Sequence, residues 1–155
     1  MFDVQLLTYL VFKITIRGTW ILNIGTNTIQ PGPTLKQARY RHGCARTSNG
    51  SIIVAGGKYN SKSLKSTEIL KIGDLEWTNG PDLKEKVQLN EVVMSRTKDY
   101  IAYSIGGWNY DGESSEIYGL RSDMNEWKFL GNMNEPRYWG SAVNIPFNLI
   151  PWCEI

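Results

Sequence analysis

The chain has 155 residues, of which 41% are hydrophobic and 21% charged. That composition excludes a disordered chain and is long enough to bury one core. A net charge of +2 is too small to point to nucleic acid. Two cysteines and a single histidine, with no C-x-x-C pair, exclude a zinc cluster by spacing. Fifteen Gly, eight Tyr and six Trp, without a long Leu/Ala/Glu/Lys run, point to β-structure.

The N-terminal stretch MFDVQLLTYLVFKITIRG is apolar. Asp3 sits where a signal peptide carries positive charge, and Lys13 and Arg17 cut the run short of the roughly 20 apolar residues of a membrane span. β-structure is expected there instead, in an atypical segment 1–19, with no membrane as partner. Residues 36–83 then read as a set of short strands. Arg39–Thr47 is a run of small and apolar residues containing Cys44, expected as a small buried hydrophobe. Asn49-Gly50 signals a tight hairpin turn of type I′. Ile52-Ile53-Val54 is strongly β-prone and expected to be buried on both faces, ending on Gly56-Gly57. A polar stretch, Lys58–Ser66, reads as loop. TEILKI (67–72) alternates like a third strand, Gly73-Asp74 turns the chain, and Leu75–Thr78 makes a fourth.

The pattern returns. Gly56-Gly57 recurs as Gly106-Gly107, 50 positions on, and in both cases a Trp follows 20 residues later, Trp77 and Trp127. Between them STEILKI (66–72) matches SSEIYGL (114–120), which sets Glu68 beside Glu116 at an offset of 48 and places a two-residue length difference in the loop before that strand. Upstream, Ile21–Gly25 and Gly32–Leu35 match Ile69–Gly73 and Gly80–Leu83. Downstream, PRYWGSAV (136–143) echoes ARYRHGCA (38–45). The chain therefore divides into residues 1–19, the end of a unit at 20–35, full units at 36–83 and 84–133, and the start of another at 134–155. Units of about 50 residues built from short strands mark a repeat architecture.

The paired glycines at 56–57 and 106–107, the following Glu68 and Glu116, Trp77 and Trp127, and the Arg-x-x-His stretch Arg39–His42 resemble the kelch-repeat family over roughly residues 20–145. The second unit departs from the pattern, with Leu89-Asn90-Glu91-Val92 in place of Arg-x-x-His. The resemblance implies an all-β fold, an incomplete kelch-type β-propeller of four-stranded antiparallel blades. In such a fold glycine suits the crowded inner end of a strand and Trp fills the widening gap at the rim. At about 50 residues per blade the chain holds at most three blades, fewer than a closed ring requires. A fragment of a longer protein is expected, or copies that associate through their bare blade faces.

The resemblance implies a non-catalytic protein-binding module, recognising a protein or peptide through the loops between strands two and three and between blades. In a fuller chain this would serve substrate recognition for a cullin-type ubiquitin ligase. The alternatives are an actin-binding kelch protein or, less favoured, a secreted kelch-like oxidase fragment. Alternating strand direction puts loops 58–66, 108–115, 84–89 and 134–138 on one face. The expected contacts are Arg39, Arg41, Tyr59, Asn60 and Lys62 in one unit, with Trp108, Asn109, Tyr110, Arg137 and Tyr138 in the next. Trp, Tyr and Arg dominate interface hot spots, and the basic residues suit an acidic peptide. No catalytic, cofactor or metal residue is expected: His42 is the single histidine and cannot supply a copper site alone, a Ser/His/Asp triad would also need His42 but no Gly-x-Ser-x-Gly motif accompanies it, and His42 is expected to hydrogen-bond within the first strand. A cytoplasmic location is expected.

Overall fold

The computed structural model describes residues 4–7 and 17–143. These residues contain no helix, and their strands form three main antiparallel sheets and a small hairpin. The first sheet has three strands, β1 (Val4–Leu7), β2 (Trp20–Asn23) and β3 (Thr28–Pro31). The second has four, β4 (Gly43–Arg46), β5 (Ile52–Ala55), β8 (Thr67–Leu70) and β9 (Thr78–Asn79). Between β5 and β8 lies the hairpin β6 (Lys58–Tyr59) and β7 (Lys62–Ser63). The third sheet runs β10 (Glu91–Met94), β11 (Tyr100–Asn109), β12 (Gly112–Arg121) and β13 (Trp127–Asn132). Every sheet is an open meander with its strands in chain order.

Strand pairing shows how far the repeat extends. Val54 pairs with Glu68 and Glu68 with Asn79; Ser104 pairs with Tyr118 and Tyr118 with Phe129. The offset is therefore 50 through all three strands, and Glu68 corresponds to Tyr118 rather than to Glu116. Similar letters at Ser66–Ile69 and Ser114–Ile117 suggest a different alignment; a two-residue shift keeps each side chain on its face, so alternation cannot choose between the two, and it is the cross-strand pairing that fixes the register. The two-residue difference lies instead in the first hairpin of each sheet. Arg46 pairs with Ile52, whereas Met94 pairs with Ala102. The segments after Gly-Gly thus have equal length in both units, and the expected loop at 58–66 is a hairpin. Its turn residues Asn60 and Ser61 both have positive φ, 44° and 64°, as a type I′ turn requires.

The Asn49-Gly50 hairpin takes another form. Only Gly50 has positive φ (87°), with the Gly50 N–H donating to Thr47 C=O at 2.9 Å and the Thr47 N–H to Ser51 C=O at 2.8 Å. This is a three-residue loop closed by a left-handed glycine. The Asn49 side-chain oxygen accepts from the Thr47 hydroxyl at 2.6 Å and from the Ser51 N–H at 3.2 Å. The first sheet repeats the second at an offset of 48, since Ile21–Gln30 matches Ile69–Thr78. β1 pairs with β2 as β5 pairs with β8, so part of the atypical N-terminal segment is an ordinary strand.

The core lies between sheets. Ile53, Ala55 and Ile69 of the second sheet pack with Val92, Ala102, Tyr118, Leu120 and Trp127 of the third. On the other face of the second sheet, Val54, Leu70 and Trp77 pack with Leu35, in the link that follows β3, and with half-buried Cys44 and Ile52. The β5 run is thus covered on both sides, and so is Thr67–Leu70, all four residues of which are buried. The expected alternation in TEILKI has no exposed face to serve. The fourth strand starts at Thr78, so Trp77 precedes it; like Trp127, Trp77 is fully buried. The indole N–H of Trp77 donates to Pro33 C=O at 2.9 Å, while that of Trp127 has no partner.

Candidate protein-binding surface

The paired glycines bring the lead-in segments together. All four have positive φ: 67° and 95° at Gly56 and Gly57, 56° and 114° at Gly106 and Gly107. A Cβ at Gly56 would lie 2.6 Å from Val87 C=O of the next unit, and a Cβ at Gly106 would strike Arg137 C=O. A Cβ at Gly57 would lie 2.8 Å from Tyr40 C=O of its own unit, and one at Gly107 would lie 2.9 Å from Gln88 C=O. The first glycine of each pair makes room for the following unit and the second for its own first strand.

Backbone bonds repeat with the same logic. The Gly57 N–H donates to Val87 C=O and the Gly107 N–H to Arg137 C=O, both at 2.8 Å. The Leu89 N–H donates to Arg41 C=O at 2.7 Å, and the Trp139 N–H to Leu89 C=O at 3.1 Å. Arg41, Leu89 and Trp139 share a left-handed backbone, with φ of 56°, 58° and 58°. Isolated bridges join Tyr40 to Lys58, Leu64 to Val87 and Gln88 to Trp108. Lead-in segments and hairpins therefore converge at one end of the strands.

Within this end the expected contact residues separate. Arg39 is buried to 1% exposure and leaves the surface set. Its guanidinium donates to Gly56 C=O (2.7 Å), Ser66 C=O (2.8 Å), the Ser66 hydroxyl (3.1 Å) and Glu68 Oε1 (2.9 Å). Glu68 also accepts the N–H groups of Lys36 at 2.7 Å and Gln37 at 2.9 Å. A charge pair this deep holds only because nearly every polar atom has a partner. Burial lowers the Arg39 pKa from its ordinary value, opposed by the hydrogen bond and charge of Glu68. In the third sheet the corresponding residues are Val87 and Tyr118, so the pair is not repeated there. Burial, and then the nearby Glu116 carboxylate, push the Tyr118 phenol up.

The other candidates form a strip. Arg41 Nη1 donates to Gln88 Oε1 at 3.4 Å, and its guanidinium lies 5.7 Å from the Tyr40 ring centre. Gln88 exchanges both backbone bonds with Trp108. The indole of Trp108 meets Tyr138 edge-on, ring centres 5.1 Å apart. Trp108 and Tyr138 keep 38% and 40% exposure, and Tyr110 at the hairpin tip is fully exposed. Tyr59, Asn60 and Lys62 are exposed on the preceding hairpin. Asn109 is half-buried, and its side-chain oxygen accepts the Asp111 N–H at 2.9 Å, a turn-forming role. Arg137 is exposed, 3.5 Å from Glu135. Exposed Trp139 belongs to the strip and buried Gln88 lies beneath it; neither was expected, and both follow from carrying Tyr40 and Arg41 forward along the repeat.

His42 does not make the hydrogen bond expected of it. Its Nδ1 is buried without a partner, and burial, then the charge of Arg39, lower its pKa to about 4. Asn90, the corresponding residue one unit later, likewise has a buried side-chain oxygen without a partner, while its amide donates to Ser104 at 3.0 Å. Among the described residues no group of His, Cys, Asp and Glu has the arrangement of a metal site, and no helix is long and apolar enough to cross a membrane. A groove along the outer strand of the second sheet is lined by Ile69, Lys71, Thr78, Gly80, Asp123 and Met124. Cys153 lies outside the described residues. No family model matches the chain, and no curated protein matches it closely enough to serve as a relative.

Proposed function

We propose that this chain is part of a kelch-type β-propeller and that the strip of Arg41, Trp108 and Tyr138, with buried Gln88 beneath it, binds a protein or peptide partner. The observation that carries the reading is the exposed Trp108–Tyr138 pair, with half-buried Arg41 bonded to the Gln88 that pairs with Trp108, where three successive units converge. Rigid aromatic rings offer large contact area with little conformational entropy to lose, and arginine adds several fixed donors. A surface of this kind on a rigid sheet scaffold suits recognition of an acidic peptide, the work of a substrate-recognition module in a ubiquitin ligase of the cullin type.

Selection of peptides from a random display library against the purified chain tests this. Acidic sequences should be enriched, and the double substitution Trp108→Ala with Tyr138→Ala should weaken their binding at least about tenfold without changing the circular dichroism spectrum. Enrichment of no sequence, or binding indifferent to both substitutions, would sink the proposal. Filament co-sedimentation with actin separates the cytoskeletal alternative, which requires the chain to pellet with filaments.

A further inference from the structure

The two end sheets each leave an apolar face bare, and the faces are of opposite kind. In the third sheet Val92, Tyr118, Leu120 and Trp127 point toward the second. Alternation then puts Val93, Tyr103, Ile105 and Ile117 on the far side. Their counterparts in the second sheet are Ala45, Ile53, Ala55 and Thr67. Ile53, Ala55 and Thr67 are buried, Ile53 and Ala55 in the cluster shared with the third sheet, and Ala45 packs against that cluster. In the third sheet all four stay half-buried, and Leu130, beside Gly119 on the same side, is 42% exposed.

At the other end, Trp20, Leu22 and Ile29 occupy the positions that Tyr118, Leu120 and Trp127 hold in the third sheet. Tyr118, Leu120 and Trp127 are buried, whereas Trp20 is 42% and Ile29 60% exposed. Among the described residues only β2 pairs with β1, whereas the equivalent β5 is paired on both sides, by β4 and β8. Residues 138–143 repeat the approach to β4, anchored by the Trp139 N–H on Leu89 C=O.

We propose that the third sheet of one copy stacks on the first sheet of a second copy, head to tail, continuing the contact already made between the second and third sheets. The far face with Tyr103, Ile105 and Leu130 receives Trp20, Leu22 and Ile29. The contact is heterologous, joining two different patches. It goes beyond the partner-binding reading and does not depend on Trp108 or Tyr138 meeting a peptide.

Sedimentation of the full chain with two exposed-residue variants tests it. The wild type should sediment above the 17.6 kDa monomer. Leu130→Asp and Ile29→Asp should each give a monomer with an unchanged circular dichroism spectrum. An equal mixture of the two variants should associate again, because each retains the face that the other has lost. A monomeric wild type overturns the proposal. So does association that survives either substitution, and so does a mixture that stays monomeric, since a symmetric contact cannot be rescued this way.

Discussion

At single residues, the repeated glycines separate two effects that are usually confounded. Gly73 has φ of 87° with nothing near its missing Cβ, whereas Gly56 combines φ of 67° with a carbonyl oxygen 2.6 Å from that position. Gly73→Ala is expected to cost about 1 kcal/mol from backbone strain. Gly56→Ala is expected to cost about 3 kcal/mol or more, because Val87 and its sheet must also shift; urea unfolding measures both. The Arg39–Glu68 pair gives a second test. Arg39→Val alone leaves a buried carboxylate without its countercharge, at about 3–5 kcal/mol. Adding Glu68→Tyr reproduces the Val87/Tyr118 combination of the third sheet and should recover much of that loss, a coupling that a double-mutant cycle reads directly. His42 supplies the pH dependence. Its folded pKa of about 4 lies below the ordinary 6.5, so the unfolded chain binds the proton first. This contribution is fully present above pH 6.5 and is lost as pH falls toward 4, by up to about 3 kcal/mol. His42→Asn, the residue found at position 90, should flatten that part of the stability profile.

For the strands and turns, pairing decided what sequence similarity left ambiguous. The Gly-Gly and Trp positions were legible because bare backbone and a bulky indole have few substitutes at crowded and wide places. The Glu68–Glu116 match was misleading, since a short run of like letters carries less weight than eight cross-strand pairs in register. The polar stretch after Gly57 had no apolar periodicity and so looked like loop, yet the backbone closes it into a type I′ hairpin. That hairpin predicts its own improvement. Ser61 holds φ of 64°, a conformation glycine adopts freely, so Ser61→Gly should stabilise the fold by about 0.5–1 kcal/mol. A thermal melt should show a midpoint raised by a few degrees; a lowered one would mean the serine side chain matters more than the backbone.

At the scale of the whole molecule, the second and third sheets share one hydrophobic core. Trp127 is fully buried with residues of both the second and third sheets. Trp127→Ala should cost about 3–5 kcal/mol and loosen the third sheet from the second, which limited proteolysis near residues 84–90 would detect. A substitution that left that segment protected would show that the sheets hold together without the indole. The sequence by itself determined the β class, the two-fold recurrence of glycine pair and tryptophan, and the segments that meet at one end, because those depend on local backbone freedom, side-chain bulk and strand periodicity. Only the tertiary structure decided that Arg39 is an internal ion pair while Trp108 and Tyr138 stay open, that His42 lacks a partner, and that the extra two residues lie in the first hairpin. Each of these depends on which neighbouring sheet comes to cover a given residue, and burial by a distant segment leaves no mark on the residue it covers.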